Sequence, residues 1–307
     1  MDTEKVSIKQ YIVEKLKLIN AHIAATVPTE NVPAILRESI DYSLLNGGKR
    51  VRPILTLASY EAFGLDSKPI VSIACSVELL HTYSLIHDDL PIMDNDDLRR
   101  NKPTNHRVFG EGIALLAGDA LLTHAFGNLA QELRRLRMSG EGNVINTDQA
   151  LQIIEEFAIY AGAGGMVGGQ VVDFTGQSEF SGLEQVLYIH EHKTADLVTF
   201  SIRLGALLAG ASEEQLEKLT VFAKKIGIAF QIQDDILDIV GDQEKTGKTI
   251  GSDDANQKLT YPFFRGIEES KQDVLALIAE AKREIADIGI NTERLEAIAD
   301  LFIVREK

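Results

Sequence analysis

Apolar residues recur at intervals of three and four along most of this chain, a spacing that lines one face of an α-helix and cannot line one face of a strand. The pattern predicts helices over roughly 5–26, 32–45, 50–63, 68–88, 112–137, 148–172, 182–211, 213–240, 263–288 and 291–305. No strand alternation competes with them. Pro53 and Pro69 fall near helix starts, and Pro91, Pro103 and Pro262 fall in or beside loops, where proline is tolerated. The expected fold class is all-α. Neither a low-complexity linker nor a composition shift divides the chain, so residues 1–307 are expected to form a single domain. Of the two longest irregular stretches, 137–148 reads as a plain helix connection. The other, 241–257, mixes glycines, lysines and aspartates after an acidic helix end and is a candidate lid.

The formal net charge of −15 argues against nucleic acid as a partner, because a phosphate backbone needs a broad basic face. Any phosphorylated ligand must then be held by local groups of Lys and Arg. The single cysteine, Cys75, cannot form an intramolecular disulfide and reads as a small buried residue, which fits a reducing compartment. No uninterrupted apolar run looks long enough to span a bilayer, so a cytoplasmic location without stable membrane insertion is expected.

Two acidic clusters close long apolar helices. In QIQDDILDIV, Asp234 and Asp238 share a helix face, with Asp235 beside them and Gln231 one turn earlier. Like charges at that spacing repel, and a cation would offset both the repulsion and the desolvation. Carboxylates without nearby His or Cys suit Mg²⁺, which shares its remaining positions with water and substrate phosphates. A solvated acidic patch is the competing reading. In HDDLPIMDNDDLRR, Pro91 forbids a regular helix, so Asp88, Asp89 and Asp94 must gather around a loop. The alternating ligands, mid-loop Gly and terminal Glu of a calcium loop are missing. Asp96 and Asp97 are expected to face solvent or pair with basic neighbours.

Arg99 and Arg100 offer planar forks suited to phosphate, and NGGKRVRP brings Lys49, Arg50 and Arg52 to a helix start after two glycines. That segment lacks the glycine spacing and preceding strand of a Walker A loop. His81 lies two turns before Asp88 on the same face and can point into the cavity the aspartates rim; a satisfied core histidine is the plainer account. The Gly-rich AGAGGMVGGQ (161–170) has no strand before it and reads as close helix packing, with Gln170 and Asp173 on one face as a possible outer-shell pair for a metal.

Taken together, GGKRVRP, HTYSLIHDD, DDLPIMDNDDLRR, GGQVVDF, KTADL, QIQDDILD and KTGKTIGSDDANQKLTYP resemble the polyprenyl synthetase family in order and spacing across nearly the whole chain. The resemblance implies one domain of long, mostly antiparallel helices around a deep central cavity, assembled as a homodimer. It matches Asp88, Asp89, Asp94, Asp234, Asp235 and Asp238 to metal-binding positions that hold an allylic diphosphate through three Mg²⁺ ions. It matches Arg99 to an allylic-diphosphate contact, and Lys49, Arg52, His81 and Arg100 to a pocket for isopentenyl diphosphate. Lys193, Thr194, Gln231, Lys248 and Lys258 match residues on the allylic side. The implied reaction is a prenyl transfer that joins isopentenyl diphosphate to a dimethylallyl or geranyl primer.

Tyr83, five residues before Asp88, lies about 7 to 8 Å down the helix at 1.5 Å per residue. Its ring could stop the growing chain; the resemblance implies a fifteen-carbon product, since in that family an aromatic residue here, with the two extra residues in DDLPIMD relative to DDxxD, accompanies that length, while ordinary core packing is the alternative. A twenty-carbon or longer product is the nearest rival, followed by a terpene cyclase and a non-catalytic regulatory subunit. A cyclase would not need Lys49, Arg52 and His81, and a regulatory subunit should have lost one aspartate motif. Ala195 and Asp196 stand where the family has Gly and a small or apolar residue, which questions the helix kink there. Asn101 replaces a common Gly.

Overall fold

The structure, a computed structural model, describes residues 7–28, 30–143, 145–240 and 260–303. Helix α1 (Ile8–Thr26) starts at Ser7, whose hydroxyl accepts from the Gln10 N–H at 3.2 Å, and is followed by α2 (Ala34–Leu44) and α3 (Val51–Glu61). A 3₁₀ turn, Lys68–Ile70, leads into α4 (Val71–Asp88), and α5 (Asn105–Phe109) precedes the long α6 (Glu111–Ser139). Then come α7 (Thr147–Ala161), α8 (Met166–Thr175), α9 (Leu183–Ile189), α10 (Asp196–Ala209) and α11 (Glu213–Val240). The last described helices are α12 (Tyr261–Arg265), α13 (Ile267–Ile285) and α14 (Glu293–Ile303).

Helices α4 and α10 are apolar on nearly all sides and are buried as such, from Val71 to Ile86 and from Leu197 to Leu208. Around them pack α1, α3, α6, α7 and α11. Gly205 lets α10 cross α3 closely, since a Cβ there would stand 2.3 Å from the Thr56 carbonyl oxygen. The rings of Phe126, Phe157 and Phe200 form a run through the interior with centroids 4.7 Å apart at each step.

The all-α expectation holds, with local differences that include an interruption at Gly266 of the helix expected over 263–288. A two-stranded hairpin, β1 (Leu98–Arg99) and β2 (Lys102–Pro103), follows the first acidic cluster. Arg100 and Asn101 turn it with φ of 55° and 61°, the left-handed pair that a two-residue hairpin requires and that Asn accepts in place of Gly. The helix expected over 148–172 breaks between Ala161 and Met166, because Gly162 and Gly165 take up backbone positions where a Cβ would strike preceding carbonyls. The helix expected over 182–211 widens into a π-helical turn at His190–Ala195. The helix is thus irregular at this point with Ala195 and Asp196 in place. Gly227 of α11 makes room for Ala195, whose Cβ would lie 2.5 Å from a Cβ at that glycine, and Asp196 accepts from His192 Nδ1 at 2.8 Å.

By length and composition α6, and α4 with its leading turn (Lys68–Asp88), are apolar enough to cross a membrane, which the sequence reading did not expect. The α4 stretch is 72% buried and forms the core; in α6 only 39% is buried within the chain. The candidate lid, 241–257, with Lys248, and Lys258 beyond it, lie outside the described residues.

Candidate active site

The first acidic cluster is shaped by the abrupt end of α4. Pro91 stops the helix and the chain folds back, so that the Asp94 N–H donates to the Asp88 carbonyl at 2.9 Å and Asn95 takes φ of 53°. Asp88 and Asp94 are half-buried and feel each other's charge: burial first, then Asp94 and Asp173, push the Asp88 carboxyl upward, while Lys193 and Arg99 act against them. Asp88, Asp94, Asp173, Lys193 and Arg99 are therefore electrostatic neighbours.

Asp89 has a different environment. It is buried, and both its oxygens accept from Arg99 Nε, at 2.7 and 2.9 Å, with an Arg99 terminal nitrogen 2.5 Å from Oδ1. Burial pushes its carboxyl up to about 6 even with that guanidinium beside it. Asp96 and Asp97 pair with Arg99 at 3.5 Å and with Arg107 at 2.7 Å, as expected of bystanders.

The hairpin delivers Arg100 to the two glycines that open α3. Its guanidinium donates to the Gly47 carbonyl, and a Cβ at Gly48 (φ 126°) would overlap it at 2.8 Å. The two basic segments, 48 residues apart from Arg52 to Arg100, thereby meet. Burial and the surrounding Arg52, Arg100, Arg99 and Arg50 hold the His81 imidazole well below its usual range, so His81 sits neutral among arginines. Lys49 is exposed beside them. Arg50 belongs to the scaffold: it is buried, caps α3 at φ 48°, and pairs with Glu78 at 2.7 Å.

The second cluster ends α11. Asp234 and Asp238 are half-buried, whereas Asp235 is buried. The π turn ties the two clusters together through consecutive residues. Lys193 Nζ lies 2.7 Å from Asp173 and acts on Asp88, while the Thr194 hydroxyl donates to Gln231 Oε1 at 2.8 Å and Gln231 Nε2 donates to Asp235 at 3.2 Å. Gly169 permits this approach, since a Cβ there would stand 2.2 Å from the Lys193 backbone nitrogen. Of the Gly-rich run, the first glycines break the helix and the last pack it, so the packing reading holds for half of it.

Tyr83 is buried below Asp88 and meets the His87 ring edge-on, with centroids 5.5 Å apart; burial and Asp88 push its hydroxyl up to about 12. His87 in turn lies against α6, 3.0 Å from the Leu115 carbonyl oxygen, in room left by Gly118.

Among the described residues no three His, Cys, Asp or Glu side chains form a preformed cluster able to hold an ion by themselves. A metal bound here would therefore rely on a ligand's own oxygens, as Mg²⁺ does when it takes one or two carboxylates plus phosphates and water. The donors fit that ion: oxygen ligands only, with Gln170 close by along α8, whose buried amide oxygen and nitrogen find no hydrogen-bond partner among the described residues.

An all-α fold whose two aspartate-rich helix ends are joined through a lysine–threonine turn defines a polyprenyl synthetase; that family's model matches residues 33–292, and the chain belongs to the family. Over 299 residues it is 43% identical to the farnesyl diphosphate synthase of Bacillus subtilis, covering 97% of this chain and 98% of that protein. It is equally 43% identical, over 297 residues, to the geranylgeranyl diphosphate synthase of Cyanophora paradoxa, covering 96% and 95%. Among solved structures, a Helicobacter pylori geranyltransferase complexed with magnesium and isoprenyl diphosphate superposes with a TM-score of 0.83 at 31% identity, over 99% of each chain.

Proposed function

We propose that this chain is a farnesyl diphosphate synthase, condensing isopentenyl diphosphate with dimethylallyl or geranyl diphosphate in the presence of Mg²⁺ and stopping at fifteen carbons. The observation that carries the reading is the bridging by Lys193 and Thr194, one acting on Asp88 and the other, through Gln231, on Asp235. Such a bridge suits a substrate whose diphosphate lies between both acidic ends.

Of the six aspartates that the resemblance matches to magnesium, Asp88, Asp94, Asp234 and Asp238 are half-buried and Asp89 and Asp235 buried, and bound magnesium would supply charge neutralisation to the departing diphosphate. Lys193 adds a fixed positive charge at the same end, in a half-buried setting where it counts for more than in water. Lys248 and Lys258 are assigned to the same diphosphate. Arg52 and Arg100, with Lys49 and neutral His81, hold isopentenyl diphosphate and orient its double bond toward the allylic carbon. As the allylic C–O bond breaks, the Thr194 hydroxyl is held by Gln231 with its oxygen lone pairs available to the developing cation. The new C–C bond leaves a cation that loses a proton, for which the released diphosphate is the acceptor. Tyr83 closes the cavity below, and its buttress, His87 against Gly118, keeps the ring in place.

The whole of 1–307 is assigned to one domain, since α4 and α11 both contribute to one site. A homodimer is favoured by α6, which is apolar enough to cross a membrane yet leaves Leu115 and Leu116 about half exposed, as Leu151 and Ile159 of α7 also are. A second copy covering that face goes with the cytoplasmic location expected from the sequence. The test is release of diphosphate from isopentenyl diphosphate plus an allylic primer with Mg²⁺: activity abolished by EDTA is expected, and no release with any allylic primer rejects the reading.

A further inference from the structure

Both acidic clusters have one carboxylate that turns inward, and in each a different partner holds it. For Asp89 that partner is Arg99. For Asp235 it is His190, a buried residue of the π turn whose Nε2 lies 3.0 Å from Asp235 Oδ2. The same oxygen accepts the Tyr261 backbone N–H at 2.9 Å, and Oδ1 accepts Gln231 Nε2 at 3.2 Å. Donors from three separate elements thus converge on one carboxylate that is 5% exposed: the π turn, α11 itself and the start of α12.

The polarity of this network is fixed. A carboxylate accepts only, so His190 Nε2, Gln231 Nε2 and Tyr261 N must all donate; Gln231 Oε1 then has to accept, which leaves Thr194 as the donor in its bond to Gln231. Removing His190 would leave a buried carboxylate short of one polar partner and would loosen the Gln231 amide whose orientation sets that of Thr194. The His190 Nδ1 atom makes no hydrogen bond among the described residues and the ring lies roughly parallel to that of Tyr261, centroids 6.2 Å apart, so the imidazole is held by packing and by its 3.0 Å contact with Asp235.

We propose that His190 and Asp235 are positioning residues, a buried pair that fixes Gln231 and Thr194 from behind, and that Asp235 takes no part in holding magnesium. This rests on the proposed prenyl transfer, and it divides the second aspartate motif: Asp234 and Asp238 serve the ion, Asp235 the scaffold.

The test combines kinetics with ion counting on the full-length protein. His190→Leu should lower kcat about 10- to 100-fold, the range typical of lost outer-shell partners, with KM for isopentenyl diphosphate unchanged. His190→Gln, whose amide nitrogen can take the place of Nε2, should restore most of the loss. With Mn²⁺ and inorganic diphosphate as probes, electron paramagnetic resonance should count as many ions on Asp235→Asn as on wild type and fewer on Asp234→Asn. Wild-type kcat in His190→Leu, no rescue by His190→Gln, or an ion lost from Asp235→Asn would each overturn the inference. If His190→Leu does not fold, Asp235→Asn decides: it must lower kcat while keeping its ions. A wild-type protein that condenses nothing rejects the prenyl-transfer reading, and the ion counts still judge Asp235.

Discussion

Arg99 grips Asp89 through two nitrogens, Nε at 2.7 and 2.9 Å from the two carboxylate oxygens and a terminal nitrogen at 2.5 Å from Oδ1. The arginine that the sequence assigns to an allylic diphosphate is therefore held from behind by the middle aspartate of its own motif. A terminal nitrogen of the same guanidinium also reaches Asp96 at 3.5 Å.

This pair gives a pH dependence. Burial raises the Asp89 carboxyl from 3.8 to about 6, so the folded protein binds a proton there more readily than the unfolded chain does. Two consequences follow from the sign: the charged form weakens folding as pH rises from about 4 to about 6, and Arg99 loses its anionic partner as pH falls through about 6. A kcat/KM profile for the allylic primer should fall on the acid side near pH 6, and Asp89→Asn should lack that limb.

Gly48 has φ of 126° and no space for a Cβ beside the Arg100 guanidinium. Gly48→Ala should displace Arg100 and raise KM for isopentenyl diphosphate by about an order of magnitude, equivalent to one lost charge-assisted contact, with KM for the allylic primer little changed. Initial-rate kinetics with each substrate varied in turn will show the difference.

Tyr83→Ala should lengthen the product to twenty carbons while condensation continues. Truncating this buried ring should cost about 3 to 5 kcal/mol of stability, as for other large buried aromatic side chains. Product chromatography decides: an unchanged fifteen-carbon product removes Tyr83 from the floor.

The uncovered face of α6 predicts a dimer in sedimentation experiments, and Leu116→Asp, a charge placed on an apolar interface, should shift it toward monomer. A wild-type monomer at micromolar concentration would contradict the assembly.

Much of the fold was legible because helical periodicity is a local signal. Helix α11 was bounded from sequence at 213–240, as it is found. The break at Gly162–Gly165 and the π turn were not, since apolar residues keep a helical rhythm through both; the glycines' own backbone positions explain the first, and the close approach of α8 and α11 the second. The hairpin at 98–103 was missed because its strands are two residues long, although a positively charged pair followed by Asn could have signalled a left-handed turn. The two clusters of aspartates and arginines were visible as types at a spacing, but their division of work was not. Nothing in DDLPIMD or DDILD says that the middle aspartate turns inward; that follows from partners such as Arg99 and His190, which sit on other elements.

The proposed reaction joins isopentenyl diphosphate to an allylic diphosphate at this site. Radiolabelled isopentenyl diphosphate, incubated with geranyl diphosphate, Mg²⁺ and the purified protein, and followed by chromatography of the dephosphorylated products, tests it most directly. A single fifteen-carbon alcohol is predicted, lost with EDTA and reduced by orders of magnitude in Asp88→Ala and Asp234→Ala. Label that stays in isopentenyl diphosphate, or a fifteen-carbon product undiminished in both variants, would contradict it.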